Sequence, residues 1–197
     1  MPRVVDREAR RAGIVSAAAE VFAQRGVART TVSDIVKAAG VAQGTFYLYF
    51  DSKDDAVFAV VDRVADAICE QTAARIAAAA SAVDKLLSFT GVLSEAGAEP
   101  GAADLVDLMH RPENRLLHDR LAEDITRRLV PQLEAVVEQG IAEGVFSVED
   151  GRAAAWFVLA GLQSVELSGT PIGEMPAALA KATGFALRAL GYVGTRA

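Results

Sequence analysis

The chain has 197 residues, of which 52% are hydrophobic and 23% charged, a composition typical of a folded globular protein and not of a disordered chain. It contains no run of about 18 uncharged apolar residues, so no transmembrane helix is predicted. The charged segment Met1 to Arg11 lacks the apolar core of a signal peptide. A single cysteine, Cys69, excludes an intrachain disulfide framework and fits a reducing cytoplasm. We therefore expect a cytoplasmic protein in which Cys69 is a buried apolar residue, the alternative being a redox sensor.

The net charge of −6 is unevenly distributed along the chain. Residues 1–53 hold eight Lys and Arg against five Asp and Glu, so this segment carries +3. The remaining residues hold twelve basic and 21 acidic side chains and carry −9. A basic segment on an acidic body lets only that segment approach phosphate, which favours a nucleic-acid partner for residues 1–53.

The first predicted helix runs from about Asp6 to Arg25 and ends at Gly26. Its inner stripe is formed by four apolar residues, Ile14, Ala18, Val21 and Phe22. Four arginines precede or open this helix, namely Arg3, Arg7, Arg10 and Arg11. They are either a solvated face or an arm that reaches DNA phosphates or the minor groove.

A helix-turn-helix is predicted between Thr31 and Phe50. Thr31 and Asp34 have the spacing of a capping box, and apolar residues then recur at i, i+3, i+4 and i+7 up to Ala39. Gly40 ends this short helix because glycine adopts a positive φ without a Cβ clash. Val41 lies in the turn, and a second helix follows from about Ala42 to Phe50.

The second helix of this motif has an unusual outward surface. Phe46 and Phe50, at i and i+4, are expected to face inward, which leaves Gln43, Gly44, Thr45, Tyr47, Leu48 and Tyr49 facing outward. A glycine inside a helix costs roughly 1 kcal/mol relative to alanine. Close approach of the backbone to a phosphate or base edge would explain Gly44. The alternative is a plain three-helix core with two surface tyrosines.

These residues resemble the TetR family of transcriptional repressors. The resemblance extends from Ile14 to about Phe58 and rests on Ile14, Ala17, Ala18, Phe22 and Gly26, on Thr31-Val32-Ser33-Asp34-Ile35, on Ala38-Ala39-Gly40-Val41, on Gly44-Thr45-Phe46-Tyr47-Leu48-Tyr49-Phe50 and on Ser52-Lys53-Asp54. It implies an all-α fold with an N-terminal three-helix DNA-binding unit, expected over residues 1–53. A larger helical ligand-binding and dimerisation domain is expected over residues 54–197, and the protein is expected to be a homodimer.

On double-stranded DNA, the helix from Ala42 to Phe50 is expected to enter the major groove of a near-palindromic operator. Gln43 is the best candidate to read a base edge, because an amide pairs bidentately with adenine. Thr45 and Leu48 are expected to contact bases or a thymine methyl group. Thr31, Tyr47, Tyr49 and Lys53 are expected to contact phosphates, which position a protein without reading sequence.

The remainder of the chain is predicted to be helical. Ser52 can cap a helix that extends to Ala80 and joins the two domains, and Ser81 can cap the next one. A short helix is expected over 102–110 and a long one over 113–143, kinked at Pro131. Two final helices, at about 152–167 and 175–192, are apolar on more than one face. Close helix packing would explain the glycines inside them, Gly161 and Gly184.

The two final helices of each chain are expected to form a four-helix dimer interface that includes Gly161, Val165, Phe185 and Leu187. A cavity for a largely apolar inducer is expected to be lined by Phe58, Phe89, Leu93, Met109, His110, Leu117, Trp156 and Phe157, with His110 as a polar anchor. Any of these residues could instead belong to the ordinary hydrophobic core, and Trp156 could equally lie in the dimer interface.

Catalytic and metal-binding motifs are not evident. The chain has two histidines and lacks a glycine-rich phosphate loop, a cysteine pair and a His-Glu-x-x-His motif, so neither an enzyme, a cofactor nor a metal site is expected. The sequence favours a ligand-responsive repressor. The alternatives are a ligand-independent dimeric DNA-binding protein and, less favoured, a helical enzyme or carrier.

Overall fold

The computed structural model describes residues 7–95, 115–168 and 170–194, and the regular secondary structure within these residues is entirely helical, as predicted. The helices are α1 (Arg7–Arg25), α2 (Val32–Ala39), α3 (Gln43–Phe46), α4 (Lys53–Ala78), α5 (Ala82–Glu95), α6 (Arg115–Ala142), α7 (Gly151–Leu167) and α8 (Met175–Ala189), with a short 3-10 helix (Ile172–Glu174) before α8. Within these same residues, no helix is long and apolar enough to cross a membrane.

The contacts between residues divide the chain into two compact units. The first unit contains the described residues up to Ala65 together with the start of α6 as far as Leu121. The second unit contains the described residues from Asp66 to Glu95 and those from Ala122 onward. Because α4 contributes to both units, the predicted domain boundary between residues 53 and 54 falls at the start of this helix and stays a prediction.

Side chains that cap the first turn fix where several helices begin. Ser52 Oγ accepts a hydrogen bond from the Asp55 amide at 3.1 Å, and the Asp55 carboxylate accepts one from the Ser52 amide at 3.0 Å. Ser81 Oγ accepts a hydrogen bond from the Asp84 amide at 3.1 Å at the start of α5. These bonds satisfy amides that have no partner inside the helix, so the caps predicted at Ser52 and Ser81 are confirmed.

Left-handed glycines end four of the helices. Gly26, Gly40, Gly144 and Gly191 have φ values of 79°, 64°, 71° and 78° and follow α1, α2, α6 and α8, so Gly26 ends α1 as predicted. After Gly191, the Tyr192 amide donates to the Leu187 carbonyl at 3.0 Å, while the Gly191 amide donates to the Arg188 carbonyl at 3.0 Å. This pair of bonds is the Schellman pattern, which satisfies carbonyls at a helix end and favours glycine.

The first unit has its own hydrophobic core. Phe22 of α1, Ile35 of α2 and Phe46 of α3 are fully buried, and Phe50 and Val57 pack against them. Burial of an aromatic or large aliphatic side chain contributes roughly 1.5–3 kcal/mol each. This core holds α1, α2 and α3 in a fixed arrangement, which is what a recognition surface requires.

The second unit is built around a larger core, to which α4 to α8 all contribute. Its fully buried side chains include Leu86, Phe89, Leu129, Leu133, Leu159, Leu162 and Leu179. On the surface of this core, the Arg128 guanidinium of α6 pairs with the carboxylates of Asp66 on α4 and Asp124 on α6. Cys69 is also buried here, as predicted, and this burial raises the pKa of its thiol, which disfavours the redox-sensor alternative.

Several predicted boundaries differ from the structure. α3 has four residues and ends at Phe46, so Tyr47 to Tyr49 form turns and do not extend the helix as predicted. α4 ends at Ala78 and α8 at Ala189, two and three residues before their predicted ends. α6 continues through Pro131 as one helix, as predicted, and the kink at Pro131 stays a prediction. The helix predicted over 102–110 lies outside the described residues.

The glycines inside the last two helices do not make the close helix contact predicted for them within this chain. A Cβ on Gly161 would meet no atom within 4 Å, and one on Gly184 would meet only the Arg188 guanidinium, at 3.6 Å. Closely packed glycines occur elsewhere in the second unit: a Cβ on Gly140 would overlap the Phe146 ring, and one on Gly151 would overlap the Glu138 carboxylate. Nothing in the local sequence around Gly140 indicates this contact.

Candidate nucleic-acid interface

The α2–turn–α3 segment begins at a complete capping box. Thr31 Oγ1 accepts a hydrogen bond from the Asp34 amide at 3.2 Å, and the Asp34 carboxylate accepts bonds from the Thr31 amide at 2.9 Å and the Thr31 hydroxyl at 2.6 Å. The bonds from Thr31 lower the pKa of Asp34, and the Arg25 guanidinium, paired with Asp34 at 2.7 Å, acts in the same direction. Asp34 is therefore held as a carboxylate that joins α1 to the first turn of α2.

The turn between α2 and α3 is also fixed by backbone hydrogen bonds. The Val41 amide donates to the Val36 carbonyl at 3.0 Å and the Gly40 amide donates to the Lys37 carbonyl at 3.4 Å. Val41 is half-buried against the core of the first unit. The predicted roles of Gly40 as the terminating residue and of Val41 as a packed turn residue are both confirmed.

Two buried phenylalanines anchor α3. Phe46 and Phe50 face inward as predicted, with ring centroids 5.2 Å apart. The Tyr47 ring packs edge-on against Phe46 with a centroid distance of 5.5 Å and remains half-exposed. The aromatic anchor on one side of α3 fixes the direction in which its other side points.

The outward side of α3 and of the following turn carries the predicted DNA contacts. Ala42, Gln43 and Gly44 are exposed, Thr45 and Tyr49 are half-buried, and Leu48 is 68% exposed. Within the described residues, the Gln43 side chain makes no hydrogen bond. A Cβ on Gly44 would meet no atom of the chain within 4 Å, so the fold itself does not require glycine there.

Lys53 has a structural role that the sequence did not indicate. Its ammonium group donates hydrogen bonds to the Val27 carbonyl at 2.8 Å and to the Thr30 carbonyl at 3.1 Å. These bonds join the start of α4 to the segment between α1 and α2. With two of its three donors used in this way, Lys53 has one donor left for the phosphate contact predicted for it.

Two arginines at the start of α1 lie over aromatic rings of the α3 region. The Arg7 guanidinium lies 5.9 Å from the centroid of the Tyr49 ring, and the Arg11 guanidinium lies 5.3 Å from that of Phe50. Both distances fall within the usual range for a cation–π contact. The structure therefore places these arginines beside the turn that follows α3, a position that the sequence left open.

The predicted ligand residues that the structure describes occupy different environments. In the first unit, Phe58 is half-buried, and the Arg120 guanidinium lies 4.1 Å from its ring centroid. In the second unit Phe89 is fully buried in the core, whereas Trp156 and Phe157 of α7 are exposed. Met109 and His110 lie outside the described residues, as do the side chains of Leu93 and Leu117, so the ligand assignment stays a prediction.

The outer sides of α7 and α8 carry exposed apolar residues. Phe157 of α7 is 67% exposed and Phe185 of α8 is 66% exposed, and Trp156 and Gly161 lie on the same exposed side of α7. The other two predicted dimer residues, Val165 and Leu187, are half-buried against the core of the second unit. We call Trp156, Phe157, Gly161 and Phe185 the outer apolar face.

A short helix with an exposed polar and aromatic surface, fixed by a capped partner helix and a buried aromatic anchor, defines the class of helix-turn-helix DNA-binding regulators. The family profile described as "Bacterial regulatory proteins, tetR family" matches residues 14–60, which cover α2 and α3 entirely. A relative named a regulator of fatty acid metabolism is 32% identical to this chain over 68% of its own length. With the profile match, this identity shows that the chain belongs to the TetR family of transcriptional regulators.

Two curated relatives come from Bacillus subtilis (strain 168). The "Fatty acid metabolism regulator protein" is 32% identical over 132 residues, which cover 66% of this chain and 68% of that protein. The "Uncharacterized HTH-type transcriptional regulator YvdT" is 43% identical over 63 residues, and the similarity covers 32% of each chain. The higher identity is thus confined to a shorter segment.

Solved structures have a similar overall fold. A transcriptional regulator from Cytophaga hutchinsonii matches with a TM-score of 0.72 at 17% identity, over 90% of this chain and 96% of that one. SmeT, named as the repressor of a Stenotrophomonas maltophilia multidrug efflux pump, matches in its triclosan complex with a TM-score of 0.70 at 21% identity, over 95% of this chain and 93% of that one. At these identities the likeness establishes the fold alone.

Proposed function

We propose that this chain is a homodimeric repressor that binds a near-palindromic double-stranded operator and releases it when a largely apolar small molecule binds residues 54–197. The observation that carries the DNA part is the surface of α3, where Gln43 and Leu48 point away from the buried Phe46 and Phe50. A polar side chain with no hydrogen bond inside the described chain is available for a base edge.

The proposed DNA-contact residues fall into three groups: those that contact bases, those that let the backbone approach the DNA, and those that contact phosphates. Gln43 reads a base edge, while Thr45 and Leu48 contact neighbouring bases or a thymine methyl group. Ala42 and Gly44 let the backbone approach the DNA closely, since neither carries a side chain beyond Cβ. Thr31, Tyr47, Tyr49 and the remaining donor of Lys53 contact phosphates, which fix the position of α3 in the groove.

We expect Gln43→Ala to weaken binding to the preferred operator by about 1–3 kcal/mol and to relax the preference at one base pair. The preferred duplex is first selected by the wild-type protein from a random pool, and affinities are then measured for it and for single-base variants. A duplex of scrambled sequence is the control, and its affinity should not change. If Gln43→Ala weakens binding to every duplex equally, Gln43 is not a base reader.

The ligand part of the proposal rests on two observations. A relative that shares two thirds of its length with this chain is named a regulator of fatty acid metabolism, which supports a ligand with an apolar chain. In the second unit, the Gln132 side-chain oxygen on α6 is buried and has no hydrogen-bond partner within the described residues. An unpaired buried acceptor costs about 1–3 kcal/mol, so a ligand that donates a hydrogen bond to Gln132 would be stabilised there.

The ligand test is an operator-release titration with straight-chain fatty acids and fatty alcohols of increasing length. Each additional buried methylene contributes about 0.8 kcal/mol, so we expect the concentration needed for release to fall about fourfold per carbon until the site is full. Complete release requires about 10⁴-fold preference for the state that does not bind DNA. If no member of either series binds or releases the operator, the ligand-independent alternative is favoured.

A further inference from the structure

We propose that Arg7 and Arg11 form a second phosphate-binding surface, in which the rings of Tyr49 and Phe50 hold two guanidinium groups in place for the DNA backbone beside the α3 contact. The inference rests on the proposed operator binding and extends its footprint to the start of α1. Of the two roles considered for the N-terminal arginines, phosphate binding is thus assigned to Arg7 and Arg11.

The side chains of Arg7 and Arg11 both lie next to the turn that follows α3. Arg7 and Arg11 are four residues apart on α1, so they lie on the same side of this helix. Their guanidinium groups lie 5.9 Å and 5.3 Å from the ring centroids of two consecutive residues, Tyr49 and Phe50. These rings directly follow Leu48 and Tyr47, the exposed end of the predicted recognition surface. The arginines therefore continue that surface onto α1.

The rings of Tyr49 and Phe50 orient the two guanidinium groups without using their hydrogen-bond donors. In a cation–π contact the positive charge of the guanidinium is attracted to the ring face, and none of its five N–H groups needs to be used in a hydrogen bond. Phe50 is buried against Phe46, so the platform beneath Arg11 is rigid. Because the side chains are already positioned, less rotamer freedom is lost when they bind a phosphate.

Two other cations of the first unit are already bound by groups of the chain itself. The Arg25 guanidinium is paired with Asp34 at 2.7 Å, and the Lys53 ammonium is bound to two backbone carbonyls. Arg7 and Arg11 are exposed, and no carboxylate pairs with either of them within the described part of the chain. Other exposed cations of the first unit are Arg10, Arg29 and Lys37. What distinguishes Arg7 and Arg11 is that their guanidinium groups lie over aromatic rings of the α3 region, and phosphate is a ligand whose geometry suits an arginine.

The test compares the salt dependence of DNA binding for Arg7→Gln, Arg11→Gln and the double variant. The probe is the duplex that wild-type protein selects from a random pool, with a scrambled duplex of equal length beside it. Each phosphate contact that is lost should make the slope of log affinity against log salt shallower by about 0.9, so a single variant, which loses one contact in each subunit of the dimer, should change the slope by about 1.8. Both duplexes should be weakened by the same factor, because phosphate contacts carry no sequence information.

Two further variants serve as controls. Arg152→Gln removes an exposed arginine from α7 in the second unit and makes the same charge change, so its slope should equal that of the wild type. Arg11→Lys keeps the charge and removes the guanidinium group, so the slope should stay at the wild-type value. A slope as shallow as that of Arg11→Gln would contradict the charge role. Thermal unfolding of every variant is recorded, and if Arg11→Gln does not fold, Arg7→Gln decides the outcome, since Tyr49 is only half-buried.

The outcomes separate this inference from the proposed function. If wild-type protein selects no sequence and binds no duplex, the operator-binding proposal itself fails. If wild-type protein binds its selected duplex but the double variant keeps the wild-type slope, the second phosphate surface is excluded. A lowered melting temperature with an unchanged slope would assign Arg7 and Arg11 a purely structural role and would also overturn the inference.

Discussion

Phe89→Ala is expected to destabilise the second unit by about 3–5 kcal/mol, the cost of truncating a buried phenylalanine and leaving a cavity. Phe89 of α5 is fully buried among side chains from the other helices of that unit. Unfolding in urea, followed by circular dichroism, measures this change. A decrease of this size is a large fraction of the stability of an ordinary domain.

Leu87→Ala is the matched control, two residues away on the same helix. Leu87 is 47% exposed, so its truncation should change the free energy of unfolding by less than about 1 kcal/mol. If the free energy of unfolding of Phe89→Ala is no lower than that of Leu87→Ala, and only the ligand-induced release of the operator changes, Phe89 lines a ligand site and is not a core residue. The comparison therefore decides between the two roles considered for Phe89.

Replacing both Phe157 and Phe185 with Glu is expected to convert the protein from dimer to monomer. The two rings are 67% and 66% exposed in the single chain, and a second copy would remove them from water. The Arg188 guanidinium lies 4.5 Å from the centroid of the Phe185 ring and could pair with a carboxylate at position 185. The larger penalty is therefore expected at position 157, where burial of a carboxylate in an apolar contact is strongly unfavourable. We expect the dissociation constant of the dimer to rise by at least about 100-fold, equivalent to about 2.7 kcal/mol.

Sedimentation equilibrium of the wild type and the double variant provides the measurement. Leu87→Glu is the control, because it places a carboxylate on an exposed apolar position of α5, outside the outer apolar face. The control should remain dimeric. A wild-type monomer, or a dimer that survives both substitutions, would locate the contact between subunits elsewhere and remove the outer apolar face from the proposal.

Local sequence determined the recognition motif because short-range interactions specify it. The bonds between Thr31 and Asp34 and the left-handed Gly40 each involve residues close together in the chain, and their spacing is visible in the sequence. Phe46 and Phe50 are four residues apart, so helical periodicity indicated that both face inward. The end of α3 was wrong by four residues, since only three-dimensional packing decides how far so short a helix continues.

Contacts between residues distant in the chain could not be inferred in this way. Lys53 binds carbonyls 26 and 23 residues earlier in the chain. The cation–π contacts join residues about forty positions apart, namely Arg7 with Tyr49 and Arg11 with Phe50. Both depend on how α1 and α4 lie against the helix-turn-helix. The hydrophobic pattern shows that an aromatic residue such as Phe89, Trp156 or Phe157 prefers burial. Only the tertiary structure decided that Phe89 meets the core of its own chain while Phe157 faces outward, because burial depends on which surface lies opposite each side chain.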